Sequence, residues 1–227
     1  MPHFLNNVGS SYNLNEGQLE EIKRNALNKH YKRGDVIINE GDTADGLYII
    51  KTGYVKVYQV SENGREKTLA ILTAGDIIGE MAAFGQHIRS ASVKAIEHTE
   101  AILIPQYRFM ELLKTIPAFG LKITEVVAER LRQANRQLAQ VAGCSSRDKV
   151  LCQMLYLVER FGVEHIKGVI IQPRLTHSDI ASLAGVVRET VTKLFNELED
   201  EGIITFERRR LIIRNLGSLQ KAFNSRA

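Results

Sequence analysis

The hydrophobic period of this 227-residue chain changes at Pro105, and that change limits what the chain can fold into. Before it, apolar residues come in short runs: Val36 to Ile38, Leu47 to Ile50, Val55 to Val60, Leu69 to Leu72, Ile77-Ile78, Val93 to Ile96 and Ala101 to Ile104. Glycines 34, 41, 46, 53, 64, 75 and 79 punctuate them, and Glu62-Asn63-Gly64-Arg65 carries the Asn-Gly pair that suits a tight hairpin. A helix is expected ahead of these strands, over Asn15 to Lys29. Many short strands with regular turns predict a small barrel or jelly roll, whose interior can enclose a ligand.

After Pro105 the spacing becomes helical. Gln106 to Lys114 reads as a short helix, and Pro117 opens a much longer one. Along it Gly120, Thr124, Val127, Leu131, Ala134, Leu138 and Val141 fall at alternating spacings of four and three, flanked by Glu125, Glu129, Arg130, Arg132 and Arg136. Such a seam either lies on the barrel as one amphipathic helix or pairs with a parallel copy. The charged flanks favour the dimer. Gly143 to Asp148 breaks the seam and marks a hinge, and Ser145 with Asp148 makes a capping-box variant opening a new helix. Its apolar side is Val150, Leu151, Met154, Leu155, Val158 and Phe161, with Gly162 as the stop.

Leu175 to Leu198 reads as two helices around a tight turn. Thr176 is an N-cap with Asp179 completing its box, Ala181 is small where the helices cross, and Gly185 takes the turn. Ile180, Leu183, Val191, Leu194 and Leu198 supply the shared core. The second helix then presents Arg188, Glu189, Thr190 and Lys193, residue types that read base edges and phosphates in a major groove. Ile203 to Phe206, the turn at Glu207 to Arg210, and Leu211 to Ile213 form a wing hairpin, with Arg209 central among three successive arginines suited to phosphate. The expected set at DNA is Thr176, Arg188, Glu189, Thr190, Lys193 and Arg209. The bland alternative, a helical hairpin with a solvated charged face, does not account for the small residue, turn glycine and apolar set falling in register.

Charge and composition add exclusions. Residues 1–147 carry 18 Lys/Arg against 16 Asp/Glu and the remainder 12 against 10, so nucleic-acid binding rests on local patches, not bulk charge. No run of eighteen apolar residues exists, so no membrane span is expected, and the N-terminus lacks signal-peptide regions, which predicts a cytoplasmic protein. Cys144 and Cys152 make neither a disulfide framework nor a metal motif, and an iron–sulfur cluster has too few ligands. The acids Asp35, Glu40, Asp42, Asp45 and Asp76 lie in turns, where they are normally solvated, and none pairs with a positioned His or Cys. An enzyme is not expected.

One stretch, Ile77 to Val93, stands apart. It turns at Gly79, presents Glu80, passes an Ala-rich turn and returns through Arg89-Ser90-Ala91. A lone carboxylate and a lone guanidinium on a Gly/Ala frame suit a ligand carrying hydroxyls and an anion.

Sensor barrel, dimer helix and winged helix in this order resemble the CRP/FNR family of bacterial transcription regulators. Gly79-Glu80-Met81-Ala82 with Arg89-Ser90-Ala91, and Gly185 followed by Arg188-Glu189-Thr190-Val191, carry the resemblance. It implies an α+β chain: a β jelly-roll effector domain over 1–116, a dimerisation helix over 117–144, and a winged helix-turn-helix over 145–227. It further implies that Glu80 bonds a ribose 2′-hydroxyl, while Arg89, Ser90 and the amides near Gly79 and Met81 hold a cyclic phosphate. The family's best-known member bonds adenine through adjacent Thr and Ser where this chain has Ala134 and Asn135, so Asn135 is the expected base contact. Cyclic AMP leads as effector, before cyclic GMP and cyclic di-GMP, and no cofactor is required. Haem is not expected, because Gly-Glu-Met occupies its ligand region and His87 lies beyond the turn. Implied partners are double-stranded DNA with a palindromic TGTGA-like site, a second copy of the chain and RNA polymerase. The alternative is a regulator of the same type whose barrel answers a partner protein or another metabolite, such as 2-oxoglutarate, or nothing.

Overall fold

The computed structural model describes residues 15–24, 26–81, 87–141 and 144–224. The chain forms two compact units, one of Met1–Gln59 with Ala70–Gln137 and one of Val60–Leu69 with Leu138–Ala227.

The first unit opens on helix α1 (Glu16–Lys23), where Asn15 and Gln18 exchange side-chain to backbone hydrogen bonds of 2.9 and 3.0 Å. The helix is shorter than Asn15 to Lys29. Arg24 leaves the helical region, and Leu27–Tyr31 is strand β1, laid antiparallel on β8 (Thr99–Pro105) from Leu27 opposite Leu103 to Tyr31 opposite Thr99. The segment has no strong period of its own, so ladder hydrogen bonds decide its conformation over local preference.

Between them lie β2 (Val36–Ile38), β3 (Gly46–Thr52), β4 (Tyr54–Val60), β5 (Glu66–Thr73), β6 (Ile77–Ile78) and β7 (Ser92–Ala95). They make two four-stranded sheets, ordered β1-β8-β3-β6 and β2-β7-β4-β5. The unbroken apolar run in β3 has a physical cause: both its faces are covered. Leu47 and Ile49 join Ile77, Ile104, Phe109, Leu112, Phe119 and Ile123 under the helices. Tyr48 and Ile50 face Ile38, Val55, Ile78, Val93, Ala101 and Leu103 inside the barrel. Complete burial of each such aliphatic side chain contributes about 1.5–3 kcal/mol, which is why a strand alternating polar with apolar residues could not serve here.

Helices α2 (Gln106–Thr115) and α3 (Pro117–Val141) close the outer layer. Helix α3 has two apolar faces. Phe119 and Ile123 are sunk in the core, whereas Val127 and Leu131, from the heptad seam, are exposed at 40% and 62%. The helix therefore lies on the barrel, as one of the two sequence readings has it, and keeps a stripe uncovered by its own unit. The side chains of Arg136, Leu138 and Val141 lie outside the described residues, as do the Ala82–Gln86 turn and Gly143 of the expected hinge.

In the second unit, Ser145 caps α4 (Ser146–Phe161) with the expected Asp148 box. Gly162 is the C-cap that ends the helix, as expected; it is extended (φ −74°) and starts strand β9 (Gly162–His165), which pairs with β10 (Gly168–Ile171). Helices α5 (His177–Ala184) and α6 (Arg188–Asp200) follow, then β11 (Ile204–Glu207), β12 (Arg210–Ile213) and α7 (Leu216–Asn224). The wing is thus the outer half of a four-stranded sheet, β11-β12-β10-β9. Residues Glu66 to Thr68 of β5 belong to this unit. β5 is an edge strand, and its outward backbone groups are met by α5: Ser182 Oγ accepts from Thr68 N–H at 2.8 Å and donates to the Glu66 carbonyl at 2.9 Å. Lys67 Nζ donates to the Leu183 carbonyl at 2.9 Å.

Candidate functional site

The short strand β6 ends at Gly79, whose φ of +83° points the next residue inward. Glycine is required there on two counts. The dihedral is left-handed, and an added Cβ would stand 2.1 Å from Arg89 Nη1. Glu80 is consequently 0% exposed. One carboxylate oxygen, Oε1, accepts from Arg130 of α3, which also donates to the Ile77 carbonyl. The other, Oε2, is buried and has no hydrogen-bond partner among the described residues. A buried carboxylate oxygen without a donor costs free energy, on the order of 1–3 kcal/mol or more, so the arrangement favours a ligand that brings one.

Arg89 is held next to it. Backbone pairing laces Gly41 to Ala44 against His87 to Arg89: Gly41 N–H donates to Arg89 O, Arg89 N–H to Asp42 O, and Ala44 N–H to His87 O, at 2.8–2.9 Å. The guanidinium, 3% exposed, donates to Gly79 O at 3.1 Å, Gly46 O at 2.8 Å and Asp45 Oδ1 at 2.5 Å. It also stands over the Tyr48 ring, 5.8 Å from the centroid, and the Tyr48 hydroxyl donates to Asp45 Oδ2 at 2.7 Å. Burial, and then Asp45, push the Tyr48 phenol well above its ordinary range. Asp45, expected to be one of several solvated turn acids, is thereby an ion-pair partner. The same expectation holds better for Asp35 and Asp42, which accept from Lys32 N–H and Asn39 Nδ2 within their own turns.

Of the other expected ligand residues, Ser90 is exposed and its hydroxyl lies 3.7 Å from the thioether of Met81, itself 55% exposed. Asn135 is exposed on α3, five residues beyond Arg130. Glu80, Arg89 and Arg130 come together with Asp45 and Tyr48. Sequence reasoning missed the last three: Arg130 looked like a seam flank, Asp45 like a turn acid and Tyr48 like core. The strand alternation that turns Tyr48 inward, beside Asp45, was the available signal.

The helix-turn-helix has the cap and the turn that the sequence predicts. Thr176 caps α5 and its hydroxyl donates to Asp179 Oδ2 at 2.6 Å; Gly185 ends the helix in the left-handed region (φ +69°). Ile180, Ala181, Leu183, Val191, Leu194, Phe195 and Leu198 are buried between the two helices, which leaves Arg188, Glu189 and Lys193 exposed and Thr190 half-buried. At the wing, Arg208 and Arg209 take positive φ (49° and 65°) and are exposed, whereas Arg210 is half-buried in β12 opposite Glu207. Two arginines, not three, form the tip. His177 bridges this unit: its ring packs edge-on against Phe195 (5.1 Å) and tilted against Phe206 (5.7 Å), and its Nδ1 lies 3.0 Å from Thr192 Oγ1.

Known proteins share both units. Residues 28–116 match the cyclic nucleotide-binding domain, and residues 149–222 match the Crp-like helix-turn-helix domain. The Cyclic AMP receptor protein of Thermus thermophilus is 30% identical over 84% of this chain and 85% of its own length. A CRP-like cAMP-activated global transcriptional regulator of Mycobacterium tuberculosis is 31% identical over 81% of this chain and 82% of its own. Among solved structures, a CRP/FNR-family transcriptional regulator of Thermus thermophilus superposes with a TM-score of 0.70 at 28% identity, covering 88% of this chain and all of that one. A cyclic nucleotide-binding fold followed by a helix-turn-helix reader is the layout of a regulator, not of an enzyme, and the chain belongs to the CRP/FNR family of DNA-binding transcription regulators.

Proposed function

We propose that this chain is a homodimeric transcription regulator whose barrel binds a cyclic nucleotide, cyclic AMP foremost. The observation that carries the reading is Glu80 Oε2, an acceptor at full burial with no donor among the described residues. A ribose 2′-hydroxyl supplies such a donor, and the adjacent Arg89 supplies the cation for a cyclic phosphate, aided by Ser90 and the amides at Gly79 and Met81. Asn135 of α3 is the candidate for the base edge. The relatives described as cyclic AMP-responsive support the choice of nucleotide.

The exposed stripe of Val127 and Leu131 on α3 supports pairing with a second copy. Two-fold symmetry then asks for a palindromic site with half-sites roughly 34–36 Å apart, read by Arg188, Glu189, Thr190 and Lys193 and clamped by Thr176 and Arg209. A TGTGA-like half-site, contact with RNA polymerase and a cytoplasmic location complete the reading. Among the described residues no helix is long and apolar enough to cross a membrane. The nucleotide acts by binding one dimer arrangement more tightly than the other, which is the only way a ligand shifts such an equilibrium.

The test is a titration of the purified protein with cyclic AMP, cyclic GMP and cyclic di-GMP while DNA affinity is followed by fluorescence anisotropy. Cyclic AMP is expected to tighten DNA binding, and Arg89→Ala to abolish that response. Indifference of DNA affinity to all three nucleotides, in wild type and Arg89→Ala alike, overturns the proposal.

A further inference from the structure

The guanidinium of Arg89 is not a free cation awaiting an anion. It has five N–H hydrogens, and three are already placed: both on Nη2, to Asp45 Oδ1 and Gly46 O, and one on Nη1, to Gly79 O. Two of these acceptors are backbone carbonyls. The third, Asp45, is fixed from both sides, because its other oxygen accepts the Tyr48 hydroxyl and the Tyr48 ring lies beneath the guanidinium. The hydrogen-bonded lacing of Gly41–Ala44 with His87–Arg89 ties the two partners' backbones together. With its far corner pinned, the group keeps Nε–H and the second Nη1–H, which lie on opposite edges of the plane, so that an anion meets it through Nε–H in one orientation.

We propose that Asp45, backed by Tyr48, is a positioning residue for the anion site: it pins Nη2 so that the Nε–H of Arg89 meets the ligand's phosphate preorganised. The proposal rests on the cyclic-nucleotide reading of the barrel. Electrostatics and positioning predict opposite signs here, which makes the idea decidable. As a negative charge beside the site, Asp45 weakens an anion, so its removal on charge grounds alone tightens binding. If it positions Arg89, removal weakens binding, because the guanidinium must be ordered at the ligand's expense.

The experiment compares wild type, Asp45→Ala, Asp45→Asn and Tyr48→Phe by isothermal titration with cyclic AMP. It also follows the Arg89 side-chain ¹⁵N signals, which report rotation about the Cζ–N bonds whether or not nucleotide is present. Asp45→Ala is expected to bind cyclic AMP about tenfold more weakly, with Tyr48→Phe intermediate; Asp45→Asn, which keeps an acceptor for Nη2, should stay within about threefold of wild type. Nη2 rotation should be slow in wild type and Asp45→Asn and fast in Asp45→Ala. Equal or tighter cyclic AMP binding by Asp45→Ala overturns the positioning role and leaves the cyclic-nucleotide reading standing. If wild type binds no cyclic nucleotide, that reading fails and inorganic phosphate becomes the probe. A phosphate-induced shift of Arg89 Nε–H that disappears in Asp45→Ala still supports positioning, and its persistence, or its absence from wild type, overturns it.

Discussion

Glu80 and Arg130 form an ion pair between the turn after β6 and the middle of α3, and Glu80 is its fully buried member. Removing Arg130 leaves a carboxylate buried without a counter-charge, which is costlier than removing the pair. Arg130→Ala is expected to lower stability by about 2–4 kcal/mol in urea denaturation, whereas the double replacement Glu80→Gln with Arg130→Met should recover most of that loss. A double variant no more stable than Arg130→Ala would show that the pair is not what the turn depends on.

Gly79→Ala tests the site without replacing a ligand-contacting side chain. The new Cβ would fall 2.1 Å from Arg89 Nη1, and the backbone would keep a left-handed φ. The Arg89 guanidinium, drawn away from its bonds to Asp45, Gly46 and Gly79, is what yields. Effector affinity should fall at least tenfold while stability drops by only about 1–2 kcal/mol, and calorimetric titration alongside thermal melting separates the two effects.

How far the molecule was legible in its sequence depended on whether a residue's partner was local. Caps at Ser145 and Thr176, the Gly185 turn and the wing hairpin are set by residues within four positions of one another, and each appears as expected. Strand β1 and the β9–β10 hairpin did not announce themselves, since their conformation depends on β8 and β12, far along the chain. The same division holds at the site. Glu80 and Arg89 were readable from their own stretch, but Asp45 and Arg130 acquire meaning only when the fold brings residues 44 and 50 positions apart together.

The seam of α3 yields a prediction about assembly. Leu131 is 62% exposed and lies one helical turn from Val127. Leu131→Glu should abolish self-association in sedimentation velocity at micromolar protein while leaving the circular dichroism spectrum unchanged, because the residue is not part of the barrel core. Retention of the dimer would place the interface elsewhere.

In the reader, Arg188→Ala should weaken binding to a palindromic TGTGA-like site by about 1–3 kcal/mol and affect scrambled DNA little. Arg209→Ala should weaken both and reduce the slope of log affinity against log salt by about 1, the signature of one lost phosphate contact. Anisotropy titrations at several salt concentrations distinguish them. Equal losses on both DNAs for Arg188→Ala would remove it from base reading.

Acidification should loosen the reader through His177. Burial against Phe195 and Phe206, then the nearby Arg188, lower its pKa from the ordinary 6.5, with Glu199 opposing. The unfolded chain therefore binds the proton more readily than the folded one, so stability is full above about pH 6.5 and declines below it. The melting temperature should fall between pH 7 and 5, and His177→Asn should remove part of that dependence. An unchanged pH profile in the variant would assign the decline to other groups.

The capped edge of β5 bears on how such a protein can be taken apart or recombined. Because Ser182 and Leu183 are partnered by Glu66, Lys67 and Thr68, a fragment beginning at Leu138 would leave those groups to water and the helix-turn-helix short of its neighbours. A chimera that exchanges readers between relatives at the end of the long helix severs the same contacts. The exchangeable module is discontinuous: it comprises the C-terminal ninety residues and a ten-residue hairpin tip embedded in the other half of the sequence.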